Sequence, residues 1–397
     1  MERKETMTYT KEEIMQYMEE EDVKFIRLMF RDAFGVQKNI SIMPTELKKA
    51  FEGGIGINAR RIPGFERSET AELYLVPDPE TITVLPWRPE SGRVVRMYCD
   101  VCGPDRTPQK NDTRVMLKNA IEHAKKEGIE FKFGSKSEFY LFKLDDEGNR
   151  TEIPYDDAGY MDIAPLDMGE NIRREICLTI ERMGLRPERS HHEQGPGQNE
   201  IDFHHGEPLT AADQMSTFMM AVQTIAGRNG LYADFSPVPI KDMPGNGYHI
   251  NMYASDSKGN DVCRYAAAGI LDKIREITLF LNPSENSYRR FGTNTAPDRI
   301  NWTAEGETSL MHVSEKLGGI RAELRSPDAL SNPYLAYSLL IEAGLFGIKN
   351  KLELPEFTAE EELLLPQSYK EACEAALRSD FVKSVVPEAI LKSYTDR

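Results

Sequence analysis

Cysteines and long apolar runs are scarce in this sequence, and both absences narrow the class of protein. Only five cysteines occur among 397 residues. They are too few and too scattered for a disulfide framework, which indicates a reducing, cytoplasmic compartment. Residues Met1 to Thr6 carry charges without a following apolar segment, so a secretory signal is not expected. The apolar stretch from Ala336 to Ile348 contains Glu342 and is shorter than a membrane span.

Positive charge is also in short supply, because the formal net charge is −16. This balance argues against nucleic acid or an anionic membrane surface as the main partner. It does not exclude an anionic small molecule, since a few arginines can bind one locally. Hydrophobic residues make up 40% and charged residues 29% of the chain. That composition is typical of a globular protein, and a chain of this length usually forms two domains.

The first part of the chain, residues 1–106, is predicted to be a small β-rich domain. Thr10 and Glu13 have the spacing of a capping box at the start of a short helix. The alternating pattern of Val23 to Phe30 is typical of a strand. Further strands are expected over residues 36–42, 71–76, 81–86 and 93–101.

The second part, residues 107–397, combines amphipathic helices with strands of an unusual kind. Helices are expected over residues 113–128, 168–183 and 211–229. In four predicted strands, over residues 131–142, 198–203, 248–253 and 321–326, polar residues recur at every second position and therefore share one face. These are Lys136 and Glu138; Gln198, Glu200 and Asp202; His249 and Asn251; and Arg321, Glu323 and Arg325.

Two interpretations of these polar faces stay open on spacing alone. The charged face of a strand is commonly exposed to solvent. Four such strands in one domain also fit a polar cavity inside a sheet that helices close. In such a cavity Glu, His and Asn would bind divalent cations, and Arg would bind carboxylate or phosphate.

Four segments, in this order along the chain, resemble the glutamine synthetase family, class I, Bacillus-like branch. They are His191–Glu200, Asn282–Arg290, Arg325–Leu335 and Ala343–Lys351. The resemblance runs from about residue 10 to about residue 350. It implies an α+β fold with an N-terminal β-grasp domain. A glutamine-synthetase-type catalytic α/β domain would follow, with a funnel-shaped cavity in an antiparallel sheet.

The resemblance also implies a site. Family members bind two divalent metals, Mg²⁺ or Mn²⁺, phosphorylate the side-chain carboxylate of glutamate with ATP, and let ammonia attack the product. The first metal would be held by Glu138, Glu193 and Glu200, and the second by His249 and Glu323. Substrate would be bound by Gly245, Gly247, His249, Arg290 and Arg325. The catalytic residues would be Lys136, Arg290 and Arg325.

Several positions depart from the family pattern. Lys136 replaces the first glutamate of the second metal site, where an ammonium would repel a dication. Other departures affect the ammonia and phosphate machinery. They are Asn58, followed by Arg60 and Arg61; Asn251; Thr295 at the flap; and Glu305 and Glu307 where arginines are usual. Acidic groups at those last positions would oppose phosphate binding. The resemblance therefore supports one metal site, leaves the second and the use of ATP open, and argues against ordinary glutamine synthesis.

Three functions are compatible with this pattern. The first is a ligase that joins glutamate, or a related small carboxylate, to an amine other than ammonia. The second is an ATP-independent, single-metal hydrolase or lyase acting on a carbon–nitrogen bond. The third is a non-catalytic protein that binds an amino acid or regulates a synthetase.

The resemblance further implies a homo-oligomer built on a hexameric ring. The chain ends soon after Tyr394, earlier than relatives whose C-terminal helix joins two rings. A hexamer is therefore expected ahead of a dodecamer.

Overall fold

The computed structural model describes residues 10–293, 296–305, 309–316, 319–356 and 363–396. The opening segment Met1 to Thr6 lies outside these ranges. The chain divides into two compact units, Met1–Val115 with Arg182–Gly184, and Met116–Glu181 with Leu185–Arg397. The boundary predicted at residue 106 stays a prediction.

The first unit begins with a capped helix. Thr10 Oγ1 accepts a hydrogen bond from Glu13 N at 3.2 Å, and Glu13 Oε2 accepts one from Thr10 N at 2.7 Å, so the predicted capping box is present. Among its described residues are the helices α1 (Lys11–Glu20) and α2 (Leu47–Gly53). The strands are β1 (Val23–Arg31), β2 (Gln37–Ile42), β3 (Ile55–Asn58), β4 (Glu72–Pro77), β5 (Thr83–Val84) and β6 (Arg93–Cys102).

These strands form one sheet in the order β2-β1-β6-β4-β3, with β5 paired to β6. Buried apolar residues of α1, α2 and the sheet form the core, including Ile14, Leu28, Phe51 and Val95. The strand expected over residues 81–86 is only two residues long. The preceding residues, Pro79–Thr81, form a 3₁₀ turn, because a proline pre-sets a turn conformation and cannot donate to a ladder.

The second unit contains most of the helices. They are α3 (Thr113–Lys126), α4 (Glu170–Arg182), α5 (Pro208–Arg228), α6 (Cys263–Leu281), α7 (Glu285–Tyr288), α8 (Pro333–Asn350), α9 (Tyr369–Arg378), α10 (Asp380–Val385) and α11 (Glu388–Thr395). The apolar α6 and α8 pack closely, because Gly269 and Gly347 lie at their crossing. A Cβ on Gly269 would come within 2.6 Å of Gly347 Cα.

The strands of this unit form one nine-stranded sheet. They are β7 (Ile129–Leu144), β8 (Arg150–Pro154), β9 (Pro187–His192), β10 (Gln198–Phe203), β11 (Leu231–Asp234), β12 (Tyr248–Asp256), β13 (Trp302–Thr303), β14 (Met311–Lys316) and β15 (Gly319–Leu324). Their order is β13-β14-β15-β12-β7-β10-β9, with β8 and β11 also paired to β7. All pairs are antiparallel except β13 with β14. The long strand β7 therefore lies at the centre and joins both halves of the sheet.

In the ranges that the structure describes, no helix combines the length and the apolar character needed to span a bilayer.

Candidate active site

The register of the central strands places the predicted polar residues side by side. Glu200 on β10 is paired with Glu138 on β7. On the other side of β7, His249 of β12 is paired with Lys136. Glu323 of β15 is paired with Asn251, two residues along β12 from His249. Because residues two apart on a strand share a face, these side chains form a continuous row across the sheet.

This row lines a cavity of about 520 Å³. Seven of the predicted site residues line it, namely Lys136, Glu138, Glu193, Glu200, His249, Glu323 and Arg325. Most of these charged side chains are buried, so the polar faces do not lie open to solvent. Gly245, Gly247 and Arg290 are not part of the lining among the residues described.

Glu323 is surrounded by three basic side chains. Its Oε1 lies 3.3 Å from Lys136 Nζ and 3.4 Å from His249 Nδ1, and its Oε2 accepts from Arg321 Nη2 at 3.0 Å. Burial opposes ionisation of Glu323, but His249, Lys136 and Arg321 together lower its pKa far below the ordinary value. Burial lowers the pKa of His249, although Glu323 opposes the shift. The predicted second metal position thus contains an ammonium that pairs with one of its expected ligands.

Glu138 is held by two donors on one of its oxygens. Its Oε2 accepts from Gly247 N at 2.8 Å and from Gln198 Nε2 at 3.1 Å. Burial, followed by the nearby Glu193, raises the pKa of Glu138 to about 7. Burial likewise raises the pKa of Glu200 well above its usual value. Buried carboxylates that crowd together in this way are stabilised as anions when a cation binds between them.

A possible set of metal ligands lies at the β9–β10 end of the row. One ligand atom from each of His191, Glu193 and Glu200 lies within 4.8 Å of the others. His191 Nε2 is 2.9 Å from Glu193 Oε1 and 3.8 Å from Glu200 Oε1. Two carboxylates and an imidazole suit Mn²⁺, and carboxylates suit Mg²⁺. Glu138, which the resemblance assigned to this metal site, lies outside the close group.

His191 was missed as a ligand because its strand has no apolar alternation. β9 pairs with β10 so that His191 stands opposite Glu200. The only sequence signal was the His-His-Glu run that ends at Glu193. The adjacent His192 has a different task. Its Nε2 lies 2.9 Å from Asp156 Oδ1 and its Nδ1 lies 2.7 Å from Glu193 O, so it fixes the backbone at the predicted ligand.

Asp156, Asp167 and His192 form a second close group of potential metal ligands. Asp167 is already neutralised, because Arg173 Nη1 donates to its Oδ1 at 3.0 Å. Asp156 Oδ1 also accepts from Gly197 N at 2.9 Å. Protein partners satisfy these groups, so we assign the cluster to support of the loop that carries Glu193.

The two arginines predicted to clamp a substrate carboxylate have different surroundings. Arg325 lines the cavity, and its buried Nε has no hydrogen-bond partner among the described residues. Arg290 instead donates from Nη1 to Ser326 O at 2.8 Å and from Nη2 to Arg325 O at 3.0 Å. Its guanidinium therefore holds the backbone of the segment that positions Arg325. Its role as a direct substrate ligand stays a prediction.

The glycines of the turn before β12 are packed too tightly for any side chain. A Cβ on Gly247 would lie 2.9 Å from His249 Nε2 and 3.3 Å from Glu138 Oε1. A Cβ on Gly245 would lie 2.4 Å from Pro237 O and 2.8 Å from Arg290 Cγ. Between them, Asn246 Nδ2 donates to Asp234 O at 3.0 Å and Ser236 O at 2.9 Å. This turn therefore fixes the spacing between Glu138 and His249.

Some of the remaining departures from the family pattern lie within the described residues. Asn251 is buried, and its Oδ1 has no partner in the described ranges. Glu305 and Asn58 are exposed in their respective units. Thr295 and Glu307 lie outside the described residues. Arg321, which the strand pattern placed on a polar face, and His312, which no motif singled out, also line the cavity.

The chain is similar in sequence to known proteins over both of its units. Residues 22–104 match the family model "Glutamine synthetase, beta-Grasp domain", and residues 110–397 match "Glutamine synthetase, catalytic domain". The glutamine synthetase of Clostridium saccharobutylicum is 42% identical over 361 residues, which cover 87% of this chain and 82% of that protein. The glutamine synthetase of Methanosarcina mazei is 40% identical over 412 residues, which cover 97% and 92%.

Solved structures give the same fold. A structure described as a GmaS/ADP complex has a TM-score of 0.87 at 24% identity, over 96% of this chain and 94% of that one. A structure of apo GmaS without ligand has a TM-score of 0.86 at 25% identity, with the same coverage.

Proposed function

Since the chain belongs to the glutamine synthetase family, we propose that it is a carboxylate–amine ligase that uses one divalent cation. In this proposal a lysine ammonium takes the place of the second cation. The predicted family and fold class, a β-grasp domain followed by a glutamine-synthetase-type catalytic domain, are confirmed. The expectation of an enzyme in the ligase class is confirmed at the level of the family.

The position of Lys136 carries the one-metal proposal. Its Nζ is 3.3 Å from Glu323, which also has His249 at 3.4 Å and Arg321 at 3.0 Å. Glu323 is therefore already neutralised from within the protein. A dication placed among these groups would face the repulsion of nearby positive charges in a buried site, where Coulomb interactions are strong. We assign Lys136 as the fixed positive charge of this half of the cavity.

The first cation would be held by Glu193 and Glu200, with His191 and Glu138 as neighbouring donors. A divalent cation bound there would neutralise and polarise an oxygen of the substrate. This set fits a cation because the crowded carboxylates Glu138 and Glu200 have raised pKa values when no cation is present. Mn²⁺ or Mg²⁺ is the expected ion.

Two arginines would bind the anionic substrate. The Nε atoms of Arg321 and Arg325 are buried without hydrogen-bond partners in the described part of the chain. Buried N–H groups are rarely left unpaired, so an acceptor supplied by a ligand carboxylate or phosphate would satisfy them. We infer that glutamate or a related small carboxylate is one substrate. ATP would activate this carboxylate by transferring its γ-phosphoryl group to it, with ADP as the leaving group, and would have fewer phosphate contacts than the family pattern provides.

An amine other than ammonia is the proposed second substrate, because Asn58 and Thr295 stand where the family's ammonia-handling acids are expected. We further propose a cytoplasmic protein with small-molecule partners and no nucleic-acid or membrane partner. It would assemble as a homo-oligomer, as a hexamer ahead of a dodecamer.

The stoichiometry of Mn²⁺ binding tests the one-metal proposal. Calorimetric titration of the metal-free protein is expected to give one Mn²⁺ per chain. Lys136→Glu should restore a carboxylate at the second position and give two. Lys132→Glu is the matched control, because Lys132 lies on the same strand but is exposed. Two ions in the unmodified protein, or one in Lys136→Glu, would overturn the proposal.

A hydrolase or lyase acting without ATP is the second candidate. The observation in its favour is the same Lys136–Glu323 pair, because an ammonium at the second cation position would repel the cation that bridges the phosphates of ATP. Calorimetry with ATP and Mn²⁺ separates the two candidates. Saturable ATP binding supports the ligase. Retained Mn²⁺ binding without ATP binding favours the hydrolase or lyase, and absence of both favours a non-catalytic amino-acid-binding role.

A further inference from the structure

A second and larger cavity lies in the same unit, outside the row of metal-binding candidates. Its volume is about 970 Å³, against about 520 Å³ for the candidate active site. Sites for small molecules usually measure about 300–1,000 Å³. None of its lining residues is among the site residues predicted from the sequence, so the proposed function assigns no role to this cavity.

One side of this cavity is apolar. Val238, Pro239, Ile240 and Met243 line it, and Met243 is 44% exposed. The backbone of this apolar wall is held in place, since Asn286 Nδ2 donates to Val238 O at 3.2 Å. An exposed, flexible thioether beside branched side chains suits contact with an aliphatic or aromatic group of a ligand.

The rest of the lining carries charges of both signs. Lys241 and Arg289 supply two cations, and Glu152 and Asp242 supply two carboxylates. All four side chains are exposed. Within the described ranges, neither cation forms an ion pair, so both are available to a ligand. An arginine and a lysine together suit a carboxylate, which can accept several charge-assisted hydrogen bonds.

The balance of these charges excludes several occupants. A nucleotide or other polyanion would be repelled by the carboxylates of Glu152 and Asp242. A polyamine would be repelled by the cations of Lys241 and Arg289. A nucleic acid is disfavoured by the net charge of −16. A purely apolar molecule would contact the apolar wall but would form no interaction with the four charged side chains. A zwitterion with an apolar side chain satisfies both signs and the apolar wall.

We propose that this cavity is a second small-molecule site, which binds an α-amino acid with an apolar side chain. Arg289 and Lys241 bind its carboxylate, Glu152 and Asp242 its ammonium, and Met243 with Ile240 contacts its side chain. The site is separate from the metal centre but shares a loop with it. The loop that supplies Val238 to Met243 ends at Gly247, whose N–H donates to Glu138.

Calorimetry on the full-length, metal-free protein tests the site without requiring metal, ATP or turnover. L-leucine, L-methionine and L-phenylalanine are the probes, and 3-methylbutylamine is the matched ligand that lacks the carboxylate of leucine. Saturable binding of at least one amino acid is expected, with leucine bound at least about tenfold more tightly than 3-methylbutylamine. Charge-assisted hydrogen bonds of the kind removed are worth at least this much. No binding of any probe, or equal binding of leucine and the amine, would overturn the proposal.

Two variants locate the bound amino acid. Arg289→Gln is expected to weaken binding of the best probe by about tenfold or more. Arg325→Gln, in the candidate active site, should leave that affinity within about twofold. The reverse pattern would place the ligand on Arg325 and overturn the second site. Because the assay contains no metal, its result is independent of the Mn²⁺ stoichiometry that tests the proposed function.

Discussion

Gly247 and Glu138 are joined through both main chain and side chain. Gly247 N donates to Glu138 Oε2 at 2.8 Å, and Glu138 N donates to Gly247 O at 3.1 Å. The carboxylate is thereby fixed where β12 begins, close to His249. One turn thus sets the position of the central acid of the cavity.

Gly247→Ala is expected to disturb this arrangement. The new Cβ would lie 2.9 Å from His249 Nε2 and 3.3 Å from Glu138 Oε1. Overpacking of this kind costs about 1–3 kcal/mol of the free energy of unfolding. Displacement of Glu138 should also weaken Mn²⁺ binding by about tenfold. Urea unfolding and Mn²⁺ calorimetry measure the two effects.

Gly206→Ala is the matched control, because a Cβ there meets no heavy atom within 4 Å. It should leave both quantities close to those of the unmodified protein. If Gly247→Ala matched Gly206→Ala in both assays, the tight packing around Glu138 would have no energetic consequence.

The raised pKa of Glu138 makes stability depend on pH in the metal-free protein. The pKa is about 7 in the folded chain against an ordinary value of 4.5. Folding therefore takes up a proton between these values, and the free energy of unfolding falls as pH rises through this window. At about 1.4 kcal/mol per pKa unit, the loss amounts to roughly 3 kcal/mol at most.

Glu138→Gln removes this titration. Relative to the unmodified protein, the variant should gain stability as pH rises from about 5 to 8, with little relative change below pH 4.5. Urea unfolding in the presence of EDTA at each pH measures the difference. Parallel pH profiles for the two proteins would show that Glu138 does not titrate in this range.

Arg290 is expected to act through structure. Arg290 is 2% exposed, and its guanidinium donates to the carbonyl oxygens of Arg325, Ser326 and Pro327. Arg290→Met would leave buried acceptors unpaired and should lower the free energy of unfolding by roughly 3–5 kcal/mol. Arg289→Met, at the exposed neighbour, should change it by about 0.5 kcal/mol or less. Unchanged stability with lost binding of glutamate would instead assign Arg290 to the substrate clamp.

Much of the fold follows from local patterns. The strand Gln198–Phe203 has the predicted limits, and α3, α4 and α5 match the three predicted helices closely. The fourth polar strand ends at Leu324, two residues earlier than expected. Arg325 then leaves the ladder, where its N donates to Leu310 O at 3.0 Å. A periodic pattern continues through such a departure, because residues after a strand end can keep the same alternation.

Residue identity alone determined which groups are available for chemistry. Lys136 and Glu138 are two residues apart in the sequence, as are Glu323 and Arg325, so each pair must share a face when its segment forms a strand. The motif order identified the family. Neither could decide whether those faces were exposed, since the same alternation suits solvent and a cavity equally.

The order of the strands in the sheet decided which of these side chains are buried and which lie together. Only the pairing of β7 with β10 and β12 buries Glu138 and His249 in one cavity. Only the docking of β9 on β10 brings His191 to Glu200. These contacts join residues far apart in the chain, so their distances depend on the register of the whole sheet. The sequence thus determined the charges, while the tertiary structure decided which charge neutralises which.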